Sequence, residues 1–582
     1  MRKEQLSFSI LDGKLGKLVH YLVLGVIIIL GAMLRFWQLD YKPLWLDEVV
    51  TALVSQGRGY EDIPVNVAFS IAKLQDFFAF RPSISCGEIA QVVATDSTHP
   101  PLFFCLTHEW LAWLDPVQLP WVWKLRALPA LIGVVAIAAV YLLTRLAFSS
   151  GAGLVAAALM AVSPFGVYLG QEARHYTLPV LLITLALVGL VKITKDLDRG
   201  RSHLSVWIAW AIVNSLACYV HYFCWLAFTA QIATLVVVMY RLQRELTKRT
   251  LIYFSLAIAI VILSYLPWWS ILATHFRSPQ TSWLPTPENI APFGQILVAW
   301  LLMAIALPVE GQPITIQVIL GLLMLAFGGW AIAQSSPGWK KLSRMSNTSE
   351  GTFVLACFIF FVLLEMLAIV YLLGKDITVA PRYNFLYYPA LITLFGACLA
   401  NNTSKSLRFS RQNERWFNYP TFVILLVGFF SSIFVIFNLA LQKPYHPQQV
   451  AQTMISSPNP IALAIAYQDE PDLALGLSYA LALQKLDASV KNTSVVFLER
   501  DKDYNSLWQK LSHISASPAS LWVIAPTLKQ NDYPQTLDLE GNSSCTLEQA
   551  DYYRFGIPYQ RYRCVKQNYA GGLSAKQKNG QI

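Results

Sequence analysis

Long apolar runs separated by short polar connections make up most of the chain. The first, Leu18–Trp37, follows Arg2, Lys3, Lys14 and Lys17; at about 20 residues it can cross roughly 30 Å of hydrocarbon. No small-residue cleavage site follows it, so it reads as a retained helix. Comparable runs are Leu128–Leu146, Ala152–Leu169, Leu178–Val191, Leu204–Tyr219, Trp225–Tyr240, Leu251–Leu272, Ile316–Ala333, Thr352–Leu373, Phe385–Ala400 and Thr421–Leu441. Together they predict about 11 crossings. The stretch from Leu204 to Tyr240 is too long for one span, and His221-Tyr222 near its middle reads as a tight turn. Phe293–Val309, bracketed by Pro292 and Pro308, is ambiguous, and if it crosses, everything after it changes sides.

The distribution of basic residues decides between the two topologies. If Phe293–Val309 does not cross, the segments on the N-terminal side of the membrane carry 20 Lys and Arg. The loops at 170–176, 221–224, 273–315 and 374–384 on the other side then carry only Arg174, Arg277, Lys375 and Arg382. A crossing there would move Lys340, Lys341, Arg344 and the basic 401–419 loop outside. The expected arrangement is therefore an inner-membrane protein with a cytoplasmic N-terminus and an external or periplasmic first loop and C-terminal domain. Three segments follow: a transmembrane domain over 1–441 with its external loop at 38–120, an external domain over 442–568, and a disordered tail over 569–582. The loop is acidic, and its amphipathic stretches Val65–Phe80 and Leu102–Leu114 read as helices along the membrane face. In the C-terminal piece, apolar runs at Ile461–Tyr467, Ser494–Leu498 and Leu521–Ile524 alternate with helical patterns at Leu473–Lys485 and Tyr504–Ile514, which implies a small α/β domain.

Composition agrees and removes other classes. Of the 582 residues, 55% are hydrophobic and only 13% charged, which excludes a disordered chain, a coiled coil and a cytosolic enzyme. The net charge of +10 is accounted for by topology, so nucleic-acid binding loses its support. Cys545 and Cys564 suit a disulfide in the external tail, and Cys86 and Cys105 suit one in the first loop.

Five polar clusters fall on the external side. Asp47-Glu48 follows the first helix, although a helix N-terminus by itself favours acids there. In Asp96-Ser97-Thr98-His99-Pro100-Pro101 the two prolines hold His99 in a rigid turn, and the same pattern can mark a helix start. Gln171-Glu172-Ala173-Arg174-His175-Tyr176 crowds polar groups into one short turn, as an interfacial anchor with a Glu–Arg pair also would. His221-Tyr222 and Pro381-Arg382-Tyr383 complete the set; the first suits a packing residue equally, the second a snorkelling Arg. Carboxylates beside outward Arg and His residues offer a base and an anion site at one surface, where a lipid with a phosphate head would fit. A transporter or flippase for a lipid-linked anion is the alternative, yet Glu365 is the one charged side chain clearly at mid-depth and no halves repeat.

The order Trp-Leu-Asp-Glu, His-Pro-Pro, Ser-Pro-Phe with Gln-Glu-Ala-Arg-His-Tyr, and Pro-Arg-Tyr resembles the bacterial branch of the protein O-mannosyltransferase family, which includes relatives of the lipid A aminoarabinose transferase. The resemblance covers residues 30–270, recurs at Arg382-Tyr383 and is absent from the tail. It implies a mainly α, GT-C membrane helix bundle that transfers a sugar from a polyprenyl-phosphate donor to an acceptor hydroxyl, with inversion, at the external face. It further implies that Asp47 stands where the family has its essential acid. The roles expected are Asp47 and Glu48 in catalysis, and Arg174, Arg382, Tyr383, His99 and His221 on the donor phosphate. Glu172, Tyr176, Asp96 and Tyr222 are expected to bind or orient the acceptor, which is a lipid, glycan or protein. The chain has His99-Pro100-Pro101 where the lipid A enzyme has an acid followed by Lys-Pro, so a divalent metal stays open; no cofactor is otherwise demanded.

Overall fold

The computed structural model describes residues 2–242, 247–278, 283–402, 418–486, 493–501, 504–514, 517–540 and 543–566. The 569–582 tail lies outside these residues, as do most of the 401–419 loop and part of the 241–250 loop. The chain divides into two compact units. The first comprises Met1–Lys42, Val54–Gly57 and Phe80–Gln442; the second comprises Pro43–Leu53, Arg58–Ala79 and the chain from Lys443 onward.

The first unit is helical. Among the described residues, 8 helices are long and apolar enough to cross a membrane, beginning with Gly16–Phe36 and ending with Tyr419–Ile436. Ser150–Val162 and Pro164–Gly170 form one further candidate, bent by 59°. The bend lies at Ser163-Pro164, where proline cannot continue the preceding helix. Ser163 instead caps the next one, accepting the Gly166 N–H at 3.3 Å while donating to the Met303 carbonyl at 2.7 Å. All eleven apolar runs expected from the sequence are helical. Two of them, Leu204–Cys218 and Tyr388–Ala400, have only 15 and 13 residues. At about 1.5 Å per residue they fall short of a full hydrocarbon thickness.

The second unit is built on a seven-stranded sheet ordered β1-β3-β2-β4-β7-β6-β5. Its strands are β1 Phe69–Ser70, β2 Ile461–Tyr467, β3 Thr493–Glu499, β4 Ser520–Ile524, β5 Thr536–Leu539, β6 Ser543–Phe555 and β7 Ile557–Lys566. Strands β3, β2 and β4 run parallel, linked by the helices Glu470–Leu486 and Asn505–Ser512, as the alternating pattern predicts. Every residue of β2 is buried, as expected of a central strand covered on both faces. The Glu470–Leu486 helix packs so closely that a Cβ on Gly476 would lie 2.6 Å from Ile465 and 2.7 Å from Phe497. Strands β5–β7 form an antiparallel extension stapled by Cys545–Cys564; the sequence pattern predicts the disulfide but not these strands.

The first loop departs from its expected form in one place. Val65–Phe80 is not a single helix, because β3 offers a free edge that satisfies its backbone instead. Val65 bridges to Phe497, the Asn66 N–H donates to the Phe497 carbonyl at 2.7 Å, and Phe69–Ser70 pairs with Val495 and Ser494. Only Leu74–Phe78 remains α-helical. Leu102–Leu114, in the first unit, is a helix as expected.

Candidate active site

Four connections of the first unit bring a cluster of polar side chains together. The first is the turn after Asp96, which ends the helix Cys86–Asp96. Pro100-Pro101 separate that helix from Leu102–Leu114, and the Cys86–Cys105 disulfide ties the two helices across the turn carrying His99. The Leu102 N–H donates to the Tyr219 carbonyl at 3.2 Å, joining this turn to the one that carries His221. That second turn is held locally: the Phe223 N–H donates to His221 Nδ1 at 3.0 Å, and the Cys224 N–H donates to the His221 carbonyl at 2.9 Å.

The third connection, Gln171–Tyr176, is pinned to the end of the first helix. The Gln171 amide donates to the Trp37 carbonyl at 2.9 Å and the Leu34 carbonyl at 3.4 Å. Beneath it lies Arg35, fully buried, donating to the carbonyls of Gly31, Met160 and Ala161 at 2.9–3.0 Å. Arg35 fits only because Gly133, Gly166 and Gly170 have no side chains; a Cβ on Gly166 would lie 2.7 Å from the Tyr388 hydroxyl and 3.0 Å from the Arg35 guanidinium. Gly166→Ala is therefore expected to cost about 1–3 kcal/mol of stability through overpacking, read as a lower unfolding midpoint in detergent. The fourth connection is the 3₁₀ segment Pro381–Leu386, which presents Arg382 and Tyr383.

At the centre are three imidazoles. Ring centroids of His99 and His175 are 4.6 Å apart, those of His175 and His221 4.8 Å, and those of His99 and His221 5.6 Å. An Arg174 guanidinium nitrogen lies 3.4 Å from His99 Nε2. Tyr176 packs on His175 at 4.4 Å, and Tyr383 lies 6.2 Å from His221, with the Arg382 guanidinium 5.5 Å above the Tyr383 ring. Burial pushes all three imidazoles well below their ordinary pKa, and the Arg174 and Arg382 charges push them further. His221 falls to about 3, so the cluster is neutral near pH 7.

The hydrogen bonds fix which nitrogens carry protons. His221 Nδ1 accepts from a backbone N–H, so its proton lies on Nε2, a buried atom with no hydrogen-bond partner. His99 Nε2 accepts from Arg174, so its proton lies on Nδ1, beside Ser97 Oγ at 3.3 Å. Both ring nitrogens of His175 are buried and have no partner. An unsatisfied buried polar atom costs about 1–3 kcal/mol, so a partner for either nitrogen of His175 would be worth about that much.

One ring nitrogen from each of His99, His175 and His221 lies within 4.8 Å of the others, close enough to consider a metal ion. Only His175, however, has a lone pair that is not already engaged, and two guanidiniums surround the cluster. Positive potential beside the unpartnered Nε2–H of His221 suits an anion far better than a cation.

Of the residues expected on the phosphate, the structure brings together His99, His221, Arg174, Arg382 and Tyr383, with Tyr176 among them and His175, not singled out from the sequence, at the middle. Glu172 is buried in the same turn as Arg174, and Asp96 is half-buried at the end of its helix. Tyr222 faces a different network: its hydroxyl pairs with His275 Nδ1 and accepts from Trp268 Nε1 at 3.0 Å, while His275 Nε2 donates to the Ala94 carbonyl at 3.0 Å.

Asp47 and Glu48 belong to the second unit, in the first turn of the helix Leu46–Val54. Glu48 is buried and accepts the Trp45 N–H at 3.3 Å; Asp47 is half-buried. The Leu46 N–H donates to the Tyr445 hydroxyl, and the Lys443 ammonium lies 3.7 Å from the Trp45 ring centroid. Burial and the two nearby carboxylates push the Tyr445 hydroxyl well above its ordinary pKa.

Residues 102–269 match a family model described as dolichyl-phosphate-mannose-protein mannosyltransferase. Among solved structures, the chain is similar to ArnT from Cupriavidus metallidurans bound to undecaprenyl phosphate: 11% identity, a TM-score of 0.50, and coverage of 92% of this chain and 97% of that one. The apo state of the same protein gives 12% identity, a TM-score of 0.49, and coverage of 88% and 93%. The apo oligosaccharyltransferase from Archaeoglobus fulgidus gives 13% identity, a TM-score of 0.43, and coverage of 79% and 64%. No curated protein matches the chain in sequence.

Proposed function

We propose that this multi-pass membrane protein, which has the GT-C glycosyltransferase fold, transfers a sugar from a polyprenyl-phosphate carrier to an acceptor hydroxyl at the external face of the inner membrane. The observation that carries this reading is the positively surrounded imidazole cluster, with His175 and His221 buried, in a fold shared with a protein whose structure contains undecaprenyl phosphate. In the proposed reaction Asp47 removes the proton from the acceptor hydroxyl. The acceptor oxygen displaces the phosphate from the anomeric carbon in one step, which inverts that centre. Arg174 and Arg382, with the Nε2–H donor of His221, stabilise the charge that grows on the departing phosphate, and His99 orients Arg174. Stabilisation of this kind usually lowers the barrier more than proton transfer does. Glu172 and Tyr176 orient this machinery, and Glu48 holds the start of the helix that carries Asp47.

Purified protein given a radiolabelled polyprenyl-phosphate sugar and a membrane extract as acceptor source is expected to move the label from the carrier to acceptor. Carrier binding and transbilayer movement with the sugar–phosphate bond intact would favour the flippase reading instead.

A further inference from the structure

The proposed transfer changes the charge of the group held by the cluster. The acceptor O–H bond breaks and its proton goes to Asp47, then to solvent. The oxygen electron pair forms the new bond to the anomeric carbon. The bond from that carbon to the phosphate oxygen breaks, and its electron pair stays on the phosphate. A phosphodiester with one negative charge thus becomes a phosphomonoester whose second ionisation lies near pH 6. The bound group therefore gains one negative charge, which one added positive charge in the site would balance.

We propose that His175 supplies that charge, staying neutral while the diester donor is bound and taking one proton from solvent when the monoester product occupies the site. This rests on the phosphate-binding reading above and adds to it a device that distinguishes product from donor.

Geometry selects His175 from the three imidazoles. A second proton on His221 would sit on Nδ1, directly against the Phe223 N–H that Nδ1 now accepts. A second proton on His99 would sit on Nε2, against the Arg174 guanidinium. His175 meets neither obstacle, because both of its ring nitrogens are without hydrogen-bond partners and fully buried. It also lies between the other two rings, 4.6 Å from one and 4.8 Å from the other. The charged and titratable groups around it are His99 from the first turn, Arg174 and Tyr176 from its own turn, His221 from the second, and Arg382 from the 3₁₀ segment. All the charges among them oppose protonation, so only an added negative charge reverses the balance. When the monoester leaves, the same surroundings expel the proton and reset the site.

Titration calorimetry with farnesyl phosphate, a monoester, and methyl farnesyl phosphate, a diester, tests this in mildly alkaline buffers of different ionisation enthalpy. The full-length wild-type protein is expected to take up close to one proton with the monoester and none with the diester. In His175→Asn the uptake is expected to disappear and monoester affinity to fall roughly ten- to a hundredfold, as for loss of one charge-assisted hydrogen bond, with a much smaller loss for the diester. Retained diester binding also shows that the variant is folded, and His175→Gln serves if the asparagine variant is not. Monoester binding without proton uptake in the wild type, or uptake that persists in both variants, overturns the assignment to His175 while leaving the phosphate site. Equal loss of both ligands makes His175 a packing residue. Failure of the wild type to bind either phosphate removes the phosphate-site reading itself.

Discussion

Asp47→Asn is expected to lower sugar transfer by about 10²–10⁴-fold, the usual contribution of a positioned general base, while carrier-phosphate binding stays at the wild-type level. The substitution is nearly isosteric and removes only the capacity to accept a proton. The Thr51 hydroxyl bonds to the Asp47 backbone carbonyl rather than to its carboxylate, so that bond survives the substitution. Loss of the favourable meeting of a negative charge with a helix N-terminus costs about 0.3–1 kcal/mol. Its neighbour behaves differently. Glu48 is buried and takes the Trp45 N–H, so its replacement acts on the start of the helix and on folding before it acts on chemistry. Single-turnover transfer from a labelled donor, with carrier binding measured on the same preparation, separates the two. Near-normal transfer by Asp47→Asn would exclude Asp47 as the base.

What the sequence discloses and what it conceals follow from the range of the interactions. Helices such as Trp121–Ala147 and Ser346–Leu373 are legible because their apolar character is local. So is the alternation behind β2, β3 and β4. Phe69–Ser70 is not, because its strand state depends on an edge of β3 more than 400 residues away, and local amphipathicity favours a helix there. Arg35 is lost from view at the end of the apolar run Leu18–Trp37, in the last turn of its helix. Its partners, the Met160 and Ala161 carbonyls and the glycines that make room for it, come from other helices. The imidazole cluster is a mixed case. His99, His221, Arg174 and Arg382 stand out as polar groups in outward turns, whereas the centrality of His175 emerges only when three turns meet around it. The bond that orients His221 comes from the Phe223 backbone N–H, which no side-chain motif records.

The second large effect concerns the guanidiniums. Arg174→Ala and Arg382→Ala are each expected to reduce transfer by about 10²–10³-fold, the scale for removing one donor from a preorganised site that meets developing negative charge. Donor affinity should weaken as well, because the diester already carries part of that charge. Arg174 is the more severe of the two: it is buried, its turn is anchored to the first helix through Gln171, and it holds His99 in the neutral state with its Nε2 lone pair engaged. Arg382 lies 5.7 Å from the Trp283 ring centroid as well as over Tyr383, so its guanidinium is oriented by stacking. Lysine in either position restores charge but not the planar fork or the stacking, so Arg→Lys should recover only part of the loss. Since both residues serve one phosphate, the double alanine variant should lose less than the sum of the single effects. Donor-concentration series on the single, lysine and double variants measure each of these relations. Additive losses with unchanged donor affinity would mean that the two guanidiniums do not share a phosphate, and would leave the imidazole cluster without its proposed ligand.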